Sequence, residues 1–200
     1  MSNASESAEA VVAAAEPVTM ASPQRFINRE LSWLAFNTRV LEEAQNPRNP
    51  LLERLRFLSI SSSNWDEFYM VRVAGIKGQV EAGITSKSQD GLTPTEQLAA
   101  ILKRSSELRD AQQRCWETLQ NELRQEGITV QDPKALSSED KHWLECQFLD
   151  RIFPLLTPMA VDPGTAFPFI PNLGFCLFLQ LERPDGKTMY ALVPVPKQAE

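Results

Sequence analysis

The sequence predicts an α+β protein in two parts: an N-terminal helical bundle, then the incomplete start of an α/β second domain. Three observations carry that prediction. Apolar residues recur every three to four positions from about residue 28 to 126, the period of helices that bury one face. The pattern stops at Gly127 and gives way to short apolar segments punctuated by Pro154 and Pro158. Residues 175–182 (FCLFLQLE) and 189–195 then flank Pro184-Asp185-Gly186, two strand-like runs around a turn. Two strands do not make an independently stable sheet. The second domain is therefore expected to be incomplete, and the chain to be the leading piece of a longer protein. The expected divisions are a disordered tail at 1–24, a helical domain at 25–126 and the truncated second domain at 127–200.

Each element has its own signals. Residues 1–24 are rich in Ala, Ser and Glu without an aromatic residue, and acidic residues precede Val11-Val12 where a secretion signal would be basic. A first helix spans 28–45, capped by Asn28. Leu31, Leu34, Ala35 and Leu41 form one stripe on it, and Trp33, Phe36 and Val40 a neighbouring one. Asn49-Pro50 opens the central stretch at 50–80. There Leu51, Leu55, Leu58 and Ser62 hold helical spacing, leaving Glu53, Arg54 and Arg56 for solvent or partners. At Ser61-Ser62-Ser63-Asn64 the apolar pattern halts, which predicts a polar break between two helices. Asn64 and Glu67 have the spacing of a capping box for the second, which continues through Trp65, Tyr69, Val73, Ile76 and Val80.

Residues 82–93 read as a loop. Thr93-Pro94 with Glu96 restarts a helix that carries Leu98, Ile101, Leu102, Leu108, Cys115, Leu119 and Leu123 to a stop at Gly127. Ile128-Thr129-Val130 reads as a short extended piece. Ser137 or Ser138 caps a further helix to about Arg151, and 153–161 holds loop and short strand. The segment at 175–182 is apolar on both faces and reads as a buried strand.

Composition narrows the function. The 200 residues carry a formal net charge of −6, which argues against a surface that coats nucleic acid. Cys115, Cys146 and Cys176 are scattered, so neither a zinc site nor a disulfide framework is indicated. The most apolar run, 167–181, is broken by Pro168, Pro171, Asn172 and Gly174, too short to span a bilayer. No glycine-rich phosphate loop is present.

Three stretches, NRELSWLAFNTRVLEEA (28–44), NPLLERLRFLSISSSNWDEFYMVRVAG (49–75) and LTPMAVDP (156–163), closely resemble the N-terminal region of bacterial polyphosphate kinases. The resemblance covers about residues 25–200. It departs from the family at Trp65, where SSN-Leu-DEF is usual, and at Gly164-Thr165-Ala166, where the family reads DPAHPFPF. The resemblance implies an enzyme that reversibly moves the terminal phosphoryl of ATP onto inorganic polyphosphate. It implies Mg²⁺, a phosphohistidine intermediate, ATP, ADP and polyphosphate as partners, and a homo-oligomer. The metal ligands and the phosphorylated histidine belong to domains beyond this stretch, so these 200 residues alone are expected to be inactive. A cytoplasmic location follows from the family, with peripheral attachment to the inner membrane left open.

Asn64 is the leading site candidate. By residue type it is an N-cap. By resemblance it matches an asparagine that contacts the nucleotide, and an amide can both donate and accept on a base edge. Arg54, Arg56 and Arg72 are candidates for phosphate contacts, or for structural pairs with Asp66 and Glu67. Asp66 and Glu67 are adjacent and do not converge on a helix, so helix-start charge is the better reading. His142, the one histidine, reads as a surface residue. A different class of function is also open: a helical interaction module that docks a protein through Trp33 and Phe36 and binds no nucleotide.

Overall fold

The computed structural model describes residues 18–162, 164 and 166–196. The tail expected at 1–24 lies outside these up to residue 17, and so does Thr165. From Thr19 the chain is turned, with Ser22 Oγ accepting from the Thr19 N–H, and enters a 3₁₀ turn at Pro23–Arg25.

Among the described residues five α-helices follow in order: α1 (Arg29–Gln45), α2 (Leu51–Phe68), α3 (Ala74–Glu81), α4 (Pro94–Gln125) and α5 (Ser138–Gln147). A π-helical segment, Tyr69–Val73, joins α2 to α3, and a second, Phe148–Ile152, follows α5. Three strands among the described residues, β1 (Met159–Val161), β2 (Phe175–Glu182) and β3 (Thr188–Val195), form an antiparallel sheet in the order β1-β3-β2. The fold is thus α+β, helical first and partly sheet afterwards.

By contacts the chain divides into two compact units, Met1–Asn46 with Phe57–Gln113, and Pro47–Arg56 with Arg114–Glu200. The division cuts through α2 and α4 instead of falling at one point along the chain. In the first unit α1 buries Leu34, Asn37, Leu41 and Ala44, steps of three and four. Both stripes differ from expectation: Ala35 of the first and Phe36 of the second are exposed, and Trp33 stacks on Phe68 at 4.6 Å between centroids and 7° between planes. Along α4 of this unit Pro94, Ile101, Ser105 and Leu108 are buried, whereas Leu102, expected on that face, is exposed.

The predicted break at 61–64 does not occur. Helix α2 runs unbroken through Ser61-Ser62-Ser63-Asn64. The reason is that Ser61 belongs to the buried stripe: its hydroxyl accepts from Gln112 Nε2 at 2.9 Å and its carbonyl accepts from Asn37 Nδ2 at 2.9 Å. A serine with partners inside the bundle does not compete with its own helix. Asn64 and Glu67 therefore form no capping box, and Asp66 and Glu67 lie near the end of α2, not at a helix start. The irregularity comes later, as the π-helical turn at Tyr69–Val73.

The loop before α4 is tied at both ends. Asp90 accepts from Asn28 Nδ2 at 2.9 Å and from the Ser88 hydroxyl. Thr93 and Glu96 form the reciprocal capping box, with Thr93 N–H donating to Glu96 Oε2 at 2.8 Å and Glu96 N–H to Thr93 Oγ1 at 3.3 Å.

In the second unit α4 ends in a Schellman motif: Gly127 takes φ +77, Ile128 N–H donates to Leu123 O, and Gly127 N–H to Arg124 O. Residues 128–130 are irregular and join no ladder. Ser137 caps α5 by accepting from Asp140 N–H. The β2–β3 hairpin pairs Phe178 with Leu192 and turns at Gly186, φ +77. Ala191, Leu192 and Val193 of the middle strand are buried, but β2 is not: Phe175, Leu177, Phe178, Leu179 and Leu181 are all exposed. Apolar composition on both faces predicted burial, and β2 is the sheet's edge with no covering layer among the described residues.

Candidate functional site

A pocket of about 410 Å³ opens in the first unit between α1, the last turn of α2 and the π-helical segment. That volume lies within the roughly 300–1,000 Å³ usual for small-molecule sites. Arg29, Glu30, Trp33 and Phe36 line it from α1, Asn64, Glu67 and Phe68 from α2, and Val71 and Arg72 from the π turn. The wider winding of that turn sets the directions in which Val71 and Arg72 leave the helix axis, so the irregularity shapes the pocket wall.

The wall has an aromatic part and a polar part. Trp33 and Phe68 provide the stacked aromatic pair. Arg72 pairs with Glu30 at 3.2 Å, both partly buried. Asn64 is held from behind: its Nδ2 donates to Asn37 Oδ1 at 3.3 Å, and Asn37 Nδ2 donates to the Ser61 carbonyl at 2.9 Å. Asn37 is completely buried. The carbonyl end of Asn64 has no protein partner among the described residues. The site thus combines an aromatic surface, one oriented amide, two arginines and two carboxylates, an arrangement suited to a flat heteroaromatic group with polar substituents.

Trp65, the departure from the family pattern, is accommodated by hydrogen bonding. Its indole N–H donates to Ser105 Oγ at 2.7 Å, Tyr69 OH donates to the same oxygen at 2.9 Å, and the two rings lie 4.3 Å apart.

Of the candidates read from sequence, the structure brings Asn64 and Arg72 to one pocket. Arg54 and Arg56 do not line it. Arg54 is buried and forms a two-pronged pair with Glu122, at 2.6 Å and 3.1 Å, and Arg56 faces Glu53 of its own helix at 4.0 Å. Arg72 goes to Glu30, from another helix, in place of the expected pairing with Asp66 or Glu67. Sequence reasoning missed Arg29, Glu30 and Asn37. The signal for Asn37 was its place in the 34, 37, 41, 44 stripe, where a polar residue among leucines needs a partner. His142 is exposed on α5, with Cys146 Sγ 3.9 Å from its Nε2. Among the described residues no group of three or more His, Cys, Asp or Glu stands together to hold a metal.

The model of the polyphosphate kinase N-terminal domain matches residues 26–131, and that of the polyphosphate kinase middle domain matches residues 139–200. This chain belongs to the polyphosphate kinase family. It is 51% identical over 173 residues to a polyphosphate kinase of Erythrobacter litoralis, covering 86% of this chain and 24% of that protein. Against a polyphosphate kinase of Synechocystis it is 48% identical over 184 residues, covering 91% and 25%. A crystal structure of polyphosphate kinase from Porphyromonas gingivalis superposes with a TM-score of 0.65 at 32% identity, over 86% of this chain and 25% of that one. The chain therefore spans about a quarter of the length of the polyphosphate kinases it matches. Among the described residues no helix is long and apolar enough to cross a membrane.

Proposed function

We propose that this chain is the leading segment of a polyphosphate kinase that reversibly transfers the terminal phosphate of ATP to inorganic polyphosphate, and that its α1–α2 pocket holds the adenine end of the nucleotide. Residues 25–126 are the helical domain that carries the pocket, and 127–200 begin the second domain. Phosphoryl transfer depends on positioning and on offsetting charge, and this segment supplies positioning. The observation that carries the reading is Asn64, set in a pocket with an aromatic wall by an amide relay from Asn37. Trp33, backed by the buried Phe68, offers its other face to a purine, Asn64 reads its edge, and Arg29 and Arg72 line the same pocket to meet the phosphates.

Arg54 and Arg56 act structurally in this reading, through Glu122 and Glu53. The nucleophilic histidine and the Mg²⁺ ligands of the reaction lie elsewhere in the enzyme. The exposed apolar strand β2 supports a cover contributed by further polypeptide or by a second copy in a homo-oligomer.

The test is an ATP titration of the full-length protein and its Asn64→Ala variant. Weakening by about tenfold is expected for one lost hydrogen-bonding amide, with helical circular dichroism unchanged. Unchanged affinity in a folded variant would reject the adenine pocket. That result would favour the reading of a docking module, for which Phe36, 55% exposed, and the outer face of Trp33 remain available.

A further inference from the structure

Asn37 is fully buried, is not among the residues lining the α1–α2 pocket, and yet has its chemistry completely specified. The Ser61 carbonyl can only accept, so Asn37 must present its Nδ2 there, at 2.9 Å. That turns Asn37 Oδ1 toward Asn64, which must answer with its own Nδ2, at 3.3 Å. The order of donor and acceptor on Asn64 is thereby fixed from inside the bundle. Toward the pocket it offers Oδ1 and its second N–H, and cannot exchange them freely.

We propose that Asn37 is a positioning residue that makes the pocket select a purine with a 6-amino group over one with a 6-oxo group. The inference rests on the reading that Asn64 contacts the nucleobase. Adenine offers a donor, the 6-amino group, beside a ring nitrogen that accepts, which an amide with C=O and N–H in fixed order pairs on both sides. Hypoxanthine offers an accepting 6-oxo group in the same place. With the base stacked in the same pose, Asn64 must turn over to pair with it, which brings its Oδ1 against Asn37 Oδ1. Turning Asn37 as well only moves the conflict to the Ser61 carbonyl. Two acceptors facing each other in a buried site leave both unpaired, and that cost is charged against the 6-oxo purine alone.

The experiment compares ATP and inosine triphosphate binding, by calorimetry on the full-length protein, for wild type, Asn64→Ala, Asn37→Leu and Asn37→Asp. Wild type is expected to prefer ATP by about tenfold or more, and Asn37→Leu to bring the two nucleotides within about twofold of each other. Asn37→Asp keeps an acceptor for Asn64 but cannot donate to Ser61. It should melt at lower temperature while retaining most of the preference. A core residue without a positioning role would not separate the two variants in this way. Loss of preference in both, or in neither, overturns the proposal. So does a wild-type protein that binds the two nucleotides equally, a result that needs no variant to fold. In that case weakened ATP binding by Asn64→Ala would leave the adenine pocket standing, whereas unaffected binding would remove both.

Discussion

Arg54 shows how far a single side chain can stand from its sequence pattern. On a helix whose apolar residues are Leu51, Leu55 and Leu58 it reads as a solvent charge. Folded, its side chain is 10% exposed and grips Glu122 with two hydrogen bonds. Hydrogen bonds to charged groups contribute about 1.5–3 kcal/mol, and Glu122→Gln should cost about that much stability in a denaturant titration. Nearby, burial pushes the Cys115 thiol up from its ordinary value, with Arg54 acting in the opposite direction. Native protein at neutral pH should therefore alkylate at the exposed Cys146 well before Cys115, as peptide mapping would show. At Asp90, desolvation would raise the carboxyl, but hydrogen bonds from Ser88 and Asn28 outweigh it and hold the carboxyl below its ordinary 3.8. A depressed folded value means that stability is present above pH 3.8 and is lost as pH falls through the folded value. Melting temperature should drop on acidification below that point, and Asp90→Asn should flatten the drop.

Helix ends followed local chemistry, and helix interiors did not. The start of α4 is written in Thr93 and Glu96, which need only each other and the first turn. Thr93→Ala should lower stability by about 1 kcal/mol, readable as a shift in the unfolding midpoint. The end of α4 is written in Gly127, whose φ of +77 costs an L-residue about 1 kcal/mol. Gly127→Ala should show a loss of that size without changing helix content before the transition. The serine run was legible only as a break, because hydroxyls in isolation favour caps. Its meaning changed once Gln112 and Asn37 arrived from α4 and α1 to bond Ser61. The π turn at Tyr69–Val73 has no signature in residue type at all. It arises where Phe68, Tyr69 and Val73 must all be accommodated, with Phe68 and Val73 buried and Tyr69 reaching Ser105.

Across the whole molecule, the exposed β2 strand has a consequence of its own. Phe175, Leu177, Leu179 and Leu181 alternate onto one face of the hairpin, an apolar surface of the kind that drives association. This chain should self-associate with concentration in sedimentation, and Leu177→Lys with Leu181→Lys should reduce that, while the melting transition moves within about 0.5 kcal/mol as expected of exposed positions. The α+β class, the order of elements, the caps at Asn28, Thr93 and Ser137, the stop at Gly127 and the turn at Gly186 were all legible along the chain. So was the family, in residues 28–75. These depend on interactions within a few residues, whose geometry the backbone dictates. The continuity of α2, the burial of Arg54 and Ser61, the pairing of Arg72 with Glu30 and of Arg54 with Glu122, and the relay behind Asn64 were settled by contacts between helices far apart in sequence. No local pattern records which buried polar group will meet which partner, because that depends on the register in which whole helices pack.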